Sequence, residues 1–255
     1  MIGMTEDLHE RLRHLPAADA PALIALGREL LDHGRLPEAE ECFRRAAAMG
    51  DAVAAFALGN TLAAQERWTE ASAAYEEALA GGEAHAWHTL GVVLDEMGDE
   101  EGALAAWRGA ADAGDTRAAA VLASREWCRT QDPALEDALR AAAEEFPPAR
   151  ADLADLLRET DRAVEARFVL EVGAKRGEAV AWLPLGNLYC DELGDDEAAE
   201  EAYRSGIAAG DVRCHHNLGV LLVGRGDHAG ATEQFGLGAA AGDELALAAL
   251  RLFQD

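Results

Sequence analysis

An internal period restricts this chain more than anything else in it. Leu-Gly pairs stand at Leu26-Gly27, Leu58-Gly59, Leu90-Gly91, Leu185-Gly186 and Leu218-Gly219, with Leu122-Ala123 and Leu153-Ala154 filling the two gaps in register. The second residues of these pairs follow one another at steps of 32, 32, 32, 31, 32 and 33. A unit of that length cannot bury an apolar face by itself, so seven units in register predict a stacked array rather than one closed core.

Twelve residues after most of these pairs comes a small residue: Ala39, Ala71, Ala103, Ala166 and Ala231, with Ala199 thirteen on and Leu135 the exception. Four residues later sits a large one, in the order Phe43, Tyr75, Trp107, Leu139, Leu170, Tyr203 and Phe235. Three further on stand Ala46, Ala78, Ala110, Ala142, Gly173, Gly206 and Gly238. Offsets of four and three fall on one stripe of a helix, which is therefore predicted to be buried. Units end on a Gly-acid step, at Gly50-Asp51, Gly82-Glu83, Gly114-Asp115, Gly177-Glu178, Gly210-Asp211 and Gly242-Asp243. The Gly can take the left-handed conformation that closes one helix, and the acid can cap the next. A second Gly at Gly34, Gly98, Gly194 and Gly226 marks a turn inside the unit. Each unit thus reads as a helix A carrying the Leu-Gly pair and a helix B carrying the Ala and aromatic stripe. The Gly of helix A is expected to let a neighbouring helix come close, in an A-to-A contact.

Composition narrows the partners. Lys and Arg number 22 against 48 Asp and Glu, a formal charge of -26, and such a field repels phosphate backbones and anionic lipid headgroups. Nucleic acid and membrane partners are not expected; the charge keeps an Ala/Leu-rich array soluble or attracts a basic partner. There is no apolar run of membrane-spanning length, and the opening MIGMTEDLHERLRHL has acids where a signal peptide needs a bare apolar stretch. The expected location is cytoplasmic. Cys42, Cys128, Cys190 and Cys214 lie far apart without a CxxC, as reduced thiols would.

The Leu-Gly, Ala, aromatic and Ala offsets resemble the tetratricopeptide repeat, from about residue 20 to residue 243. Its period is about 34 residues, and the residues missing here fall between helix B and the next helix A. There AAAMGD, AADAGD, GIAAGD and GAAAGD are similar to the closing AA-x-x-GD of SLR (SEL-like) repeats. The loop between helices A and B lacks the extra residues that SLR units carry. The resemblance implies an all-α fold: a right-handed α-solenoid of about seven helix-turn-helix repeats with terminal capping helices. It also implies work as an adaptor, chaperone or assembly scaffold that binds protein or peptide.

Residues 1–19 carry Leu8, Leu12 and Leu15 at helical spacing and are expected to be an N-terminal capping helix. The array then covers 20–243, and 244–255 (ELALAALRLFQD) continues the register through Leu250 as a C-terminal capping helix. The fourth unit, 116–147, is the least regular: its pair is Leu122-Ala123, Pro133 enters its loop, and EEFPPA replaces the Gly-acid turn. It is the expected place for altered curvature or a hinge within one continuous array.

In a tetratricopeptide superhelix, helix A lines the concave face, where ligands usually lie. The resemblance therefore points to Arg28, Asn60, His85, His88, Asp95, Arg117, Trp127, Asp155, Arg158, Asn187, Arg213 and His216 as groove residues. Asn60 and Asn187 directly follow a Leu-Gly, where peptide-binding relatives hold a ligand backbone amide with a side-chain amide. Arg28 is equivalent one unit earlier, but the third unit has His88 and Val92 where a carboxylate clamp needs basic residues. The acids crowd helix B, as in Glu38, Glu40, Glu41, Glu76, Glu77, Glu100, Glu101, Glu200 and Glu201. The alternative is thus an assembly or regulatory subunit that docks through an acidic convex face or self-associates.

Neither catalysis nor a cofactor is expected. The sequence has no GxxxxGK[ST], GxSxG or HExxH, and no GxGxxG after a strand. His85 and His88 lie one helical turn apart, and Cys214, His215 and His216 are adjacent. An i, i+3 pair supplies two metal ligands at most, and adjacent helical residues point about 100° apart, so no metal site is expected.

Overall fold

The computed structural model describes residues 19–254; the segment with Leu8, Leu12 and Leu15 lies outside the described residues. Among the described residues there are fifteen α-helices and no strand. They are α1 (Ala20–Asp32), α2 (Leu36–Ala47), α3 (Ala52–Ala63), α4 (Trp68–Ala80), α5 (Ala86–Glu96), α6 (Glu100–Asp112), α7 (Thr116–Thr130) and α8 (Glu136–Glu145). There follow α9 (Pro147–Glu159), α10 (Ala163–Lys175), α11 (Trp182–Leu188), α12 (Asp196–Ala208), α13 (Arg213–Gly224), α14 (His228–Ala240) and α15 (Glu244–Gln254). The first fourteen are the seven A and B pairs that the period predicts, and α15 is a further helix A without its B.

The chain divides into two compact units, one reaching Ala119 and one beginning at Ala120, so the division falls inside α7 and hence inside the irregular fourth repeat. In the first unit Leu23, Leu30, Phe43, Leu62 and Tyr75 belong to one core. In the second, one cluster gathers Trp127, Leu139, Leu157, Leu170 and Leu188, and another gathers Tyr203, Cys214, Leu218 and Phe235. Each unit is a solenoid segment: α3 packs on α4 of its own repeat and on α2 of the repeat before, as α13 packs on α14 and on α12. Burial on both sides of helix A is what a stacked array requires and an isolated hairpin cannot provide.

The Leu-Gly glycines serve a different contact from the one expected. A Cβ added to Gly27 would lie 2.6 Å from Cε1 of Phe43, and one added to Gly59 would lie 2.5 Å from Cε1 of Tyr75. At Gly91, Gly186 and Gly219 the added carbon would strike Trp107, Tyr203 and Phe235 in the same way. The close approach is between helix A and the ring of its own helix B, not between the A helices of neighbouring repeats. In the fourth and fifth repeats the ring is replaced by Leu139 and Leu170, and the glycine by Ala123 and Ala154, all four buried. A flat ring lies against bare backbone, while a leucine leaves room for one methyl group. All seven repeats obey this exchange.

The turns before helix A behave as predicted where the acid is Asp. Asp51 accepts from the Ala54 N–H at 2.9 Å and Asp115 from Ala118 at 3.0 Å. At Gly210 φ is +91°, and this lets the Asp211 N–H reach back to the Gly206 carbonyl at 2.9 Å. Outside the fourth repeat, where Asp132 caps a 3-10 turn (Pro133–Leu135) ahead of α8, the start of helix B is built in two ways. Asp99, Asp195 and Asp227 cap the N–H groups of Gly102, Ala198 and Gly230. Arg35, Arg67 and Arg162 stand at the same place without capping, and each pairs instead with an acid three residues on: Glu38, Glu70 and Glu165. Arg67 also reaches Glu40 at 2.7 Å, and Arg162 reaches Glu136 at 2.8 Å, in each case on helix B of the repeat before.

Two irregularities in the sequence become local structure. Where EEFPPA replaces the Gly-acid turn, Phe146 is extended and Pro147 starts α9, a position that needs no N–H. Arg150, 4% exposed, then donates to the Ala143 carbonyl and pairs with Glu178 at 2.8 Å, supplying a guanidinium where other repeats use backbone N–H groups. Gly173 is small for this reason: a Cβ there would lie 2.7 Å from Cδ of Arg150. The second irregularity is the extra residue that puts Ala199 thirteen places after Gly186. It is absorbed as a single π turn, Tyr189–Leu193, continuing α11, which is how a helix accommodates one inserted residue. There the Tyr189 hydroxyl donates to Glu171 at 3.0 Å.

Candidate partner-binding surface

The residue following each Leu-Gly pair occupies one register position on helix A, so within a unit these residues share a face. In the first unit they are Arg28, Asn60 and Val92, all exposed; in the second Asp155 and Asn187 are half-buried and Val220 is exposed. Ser124, at that position in α7, is buried and donates to Asp152.

The two asparagines are held from beneath. The Tyr75 hydroxyl donates to Oδ1 of Asn60 at 2.8 Å, and the Tyr203 hydroxyl donates to Oδ1 of Asn187 at 2.9 Å. Asn217 adds a second donor to Asn187 Oδ1 at 2.6 Å. Burial pushes the Tyr75 phenol up to about 12 and raises that of Tyr203 as well, so both hydroxyls keep their protons as donors near neutral pH. With Oδ1 committed to the phenol, the amide orientation is fixed and its Nδ2 is the end turned from the ring. This pairing was readable in the sequence and was missed: among the seven repeats, Asn follows the Leu-Gly only in the two whose helix B ring is Tyr.

The other predicted groove residues divide into groups. His85 and Arg117 are exposed, like Arg28. His85 lies 2.6 Å from Glu83 and His88 lies 3.0 Å from Asp115, so the two imidazoles face different carboxylates rather than a shared point. Arg213 forks onto Asp211 at 2.9 and 2.8 Å, and Arg158 pairs with Glu192 and lies 3.8 Å from Asp155. Asp95 is half-buried. His216, also half-buried, has its ring 5.8 Å from that of Phe235 and tilted by 40° to it, and shares a cleft of about 400 Å³ with Asn187, Tyr203 and Asn217. Trp127 is a correction: it is 2% exposed in the core with Leu139 and Leu157, because a large apolar ring gains more from burial than its register position predicts, and it cannot touch a ligand.

Some of the helix B acids are already engaged between repeats. Glu40 is bonded by Arg44, Arg67 and Gln65, and Glu200 by Arg204 and Arg225, so these acids tie repeats together rather than waiting for a partner. Glu41, Glu76 and Glu77 are exposed.

The comparisons with known proteins agree with this architecture. A family model for the tetratricopeptide repeat matches residues 57–86. Among solved structures, the chain is similar to c5321, a protective antigen of uropathogenic Escherichia coli with an SLR fold, at TM-score 0.68 and 22% identity. That match covers 91% of this chain and 56% of the antigen, so this chain spans just over half of its length. A Sel1 repeat protein from Oxalobacter formigenes matches at TM-score 0.68 and 17% identity, over 85% of this chain and 96% of its own. A tetratricopeptide repeat protein from Parabacteroides merdae matches at TM-score 0.67 and 17% identity, over 92% and 99%.

The chain has a TPR/SLR-like repeat fold.

A search of curated proteins found no match. TPR/SLR-like repeat folds are generally scaffolds for protein–protein interaction and are typically non-catalytic. Among the described residues of this one, no three His, Cys, Asp or Glu side chains are grouped to hold a metal ion. No helix among them is long and apolar enough to cross a membrane.

Proposed function

We propose that this TPR/SLR-like protein is a scaffold or adaptor that binds extended protein segments along the helix A face within each of its two units. The observation that carries this reading is the pair of tyrosine-anchored asparagines, Asn60 and Asn187, one in each unit. A side-chain amide held in one orientation before binding loses little freedom when it meets a peptide carbonyl, and that preorganisation favours affinity. An Nδ2 donor accepts any backbone, so the asparagines would hold the segment while their neighbours select its side chains. In the first unit those neighbours are Arg28 and His85, with Val92 as an apolar contact. In the second they are Asp155, His216 and Val220.

Photo-crosslinking tests the face. Benzoylphenylalanine placed at Arg28 or Val92, in register with Asn60, is expected to capture a partner in native extract. The same group at Glu41 or Ala73, both exposed on helix B, is expected to capture none of it. Capture of that partner from helix B alone would move the binding face.

A further inference from the structure

In an array the repeats are controls for one another, and one helix B departs from the rest. The position two residues before the large stripe residue points away from helix A; it holds Glu41, Ala73, Ala105, Asp137, Glu201 and Glu233 in six repeats. In the fifth it holds Phe168, which is 67% exposed, and one turn earlier on the same face Val164 is 64% exposed. An aromatic ring left in water at a position where other repeats place polar or small residues has an energetic cost that folding does not recover.

Beside it lies a cavity. Between α10 and α12, above α11 and its π turn, a pocket of about 270 Å³ opens on this outer side. Trp182, Leu185 and Ala202 form its floor, and Glu171, Lys175 and Glu201 stand at its rim. Glu171 follows Phe168 by three residues, so ring and pocket share a face of α10. The volume suits one large apolar side chain. At the rim, Lys175 is 3.9 Å from Glu171, whereas Glu201 and its neighbour Glu197 are exposed on α12.

We propose that this outer face of the fifth and sixth repeats is a second docking surface, for a partner segment that seats one large apolar side chain in the pocket between basic residues. The apolar anchor follows from Phe168, Val164 and the pocket floor; the basic flanks follow from Glu197 and Glu201. A second copy of a chain with formal charge -26 would bring the same sign of charge to those acids, so the occupant is a basic partner rather than this protein itself. This surface is independent of the helix A reading, and neither needs the other.

The test uses the full chain and two amphipathic helical peptides of one pattern, Leu/Lys and Leu/Glu, followed by backbone amide shifts and titration calorimetry. The Leu/Lys peptide is expected to bind with shifts gathered on α10 and α12. Phe168→Glu should weaken it about tenfold or more, and Glu201→Lys by a smaller factor. The Leu/Glu peptide should bind poorly, and Asn187→Ala in a Tyr203→Phe background should leave Leu/Lys binding unchanged. Affinity indifferent to Phe168→Glu, or shifts spread over all helix B acids, would overturn the proposal as unspecific charge attraction. A dimer of the unmodified chain in sedimentation that Phe168→Glu dissociates would overturn it in favour of a second copy.

Discussion

The first three repeats and the fourth and fifth solve the same packing problem with different residues. The first three set a glycine of helix A beneath a ring of helix B, as Gly59 lies beneath Tyr75; the other two set Ala123 and Ala154 beneath Leu139 and Leu170. The same two repeats abandon the Gly-acid turn between them and close the junction with Arg150, which donates to the Ala143 carbonyl and is held from the next turn by Glu178. The difference teaches that what stays constant along this array is a volume shared by two positions, not a residue at either. It also shows where function can attach. A tyrosine ring brings a hydroxyl to the helix A surface, where an asparagine answers it, and a leucine brings nothing to anchor.

The contrast breaks most sharply at Arg150. Arg150→Met strands Glu178 and the Ala143 carbonyl in a nearly closed site, and should cost about 3 kcal/mol in chemical denaturation, with exchange protection lost first in α8–α10. Next comes the shared volume. Gly59→Ala should cost about 1–3 kcal/mol by overpacking Tyr75, and adding Tyr75→Leu should restore most of it by recreating the Ala and Leu pair of the fifth repeat. A double variant no better than the single one would show that the pairs are not interchangeable. The two ways of starting helix B offer a smaller contrast: Asp99→Ala removes a cap and should lower stability by about 1 kcal/mol in denaturant titrations, while Glu66→Gly relieves a non-glycine φ of +58° and should raise it by about 0.5–1 kcal/mol.

The smallest effect is electrostatic and tests whether both units are stapled alike. Burial alone would raise the Glu40 carboxyl, but bonds from Arg44, Arg67 and Gln65 override it and hold it below the usual 4.5; bonds from Arg162 and Arg140 do the same for Glu136. A folded value below the unfolded one stabilises at neutral pH, and that contribution is lost as pH falls below about 4.5 through the folded value. Thermal melting should thus decline in acid, and Glu40→Gln with Glu136→Gln should flatten the decline while lowering the neutral plateau.

Helix pairs, turns and stripe were legible in the sequence because a period multiplies each weak local signal by seven. Asp51 and Asp115 cap as expected, and the glycine turns close where they were placed. Other features needed coordinates. The glycine and ring exchange was present in all seven repeats, but nothing in spacing alone says that Gly59 meets a side chain sixteen residues later rather than the next helix A. The thirteen-residue step to Ala199 signalled an insertion without saying that it would become a π turn aimed at Glu171. Trp127 shares its register position with Asp95 and Arg158, so direction pointed to the groove, while size and apolarity took it into the core. The charge on helix B looked like a free acidic surface because the ion pairs between repeats, such as Arg67 with Glu40 and Arg162 with Glu136, join residues 26 or 27 positions apart, a separation that no local helical spacing suggests.

The central claim is that tyrosine-anchored asparagines on helix A hold a partner. It is tested most directly by affinity capture from native extract with mass spectrometry, using Tyr75→Phe/Tyr203→Phe as the reference, so that no buried hydroxyl is orphaned when the asparagines are removed. The unmodified protein should capture the partner most strongly, the reference more weakly because its asparagines have lost their anchors, and adding Asn60→Ala and Asn187→Ala to the reference, with melting unchanged, should eliminate what the reference still holds. The same partner held equally by the reference and by that variant would contradict the claim.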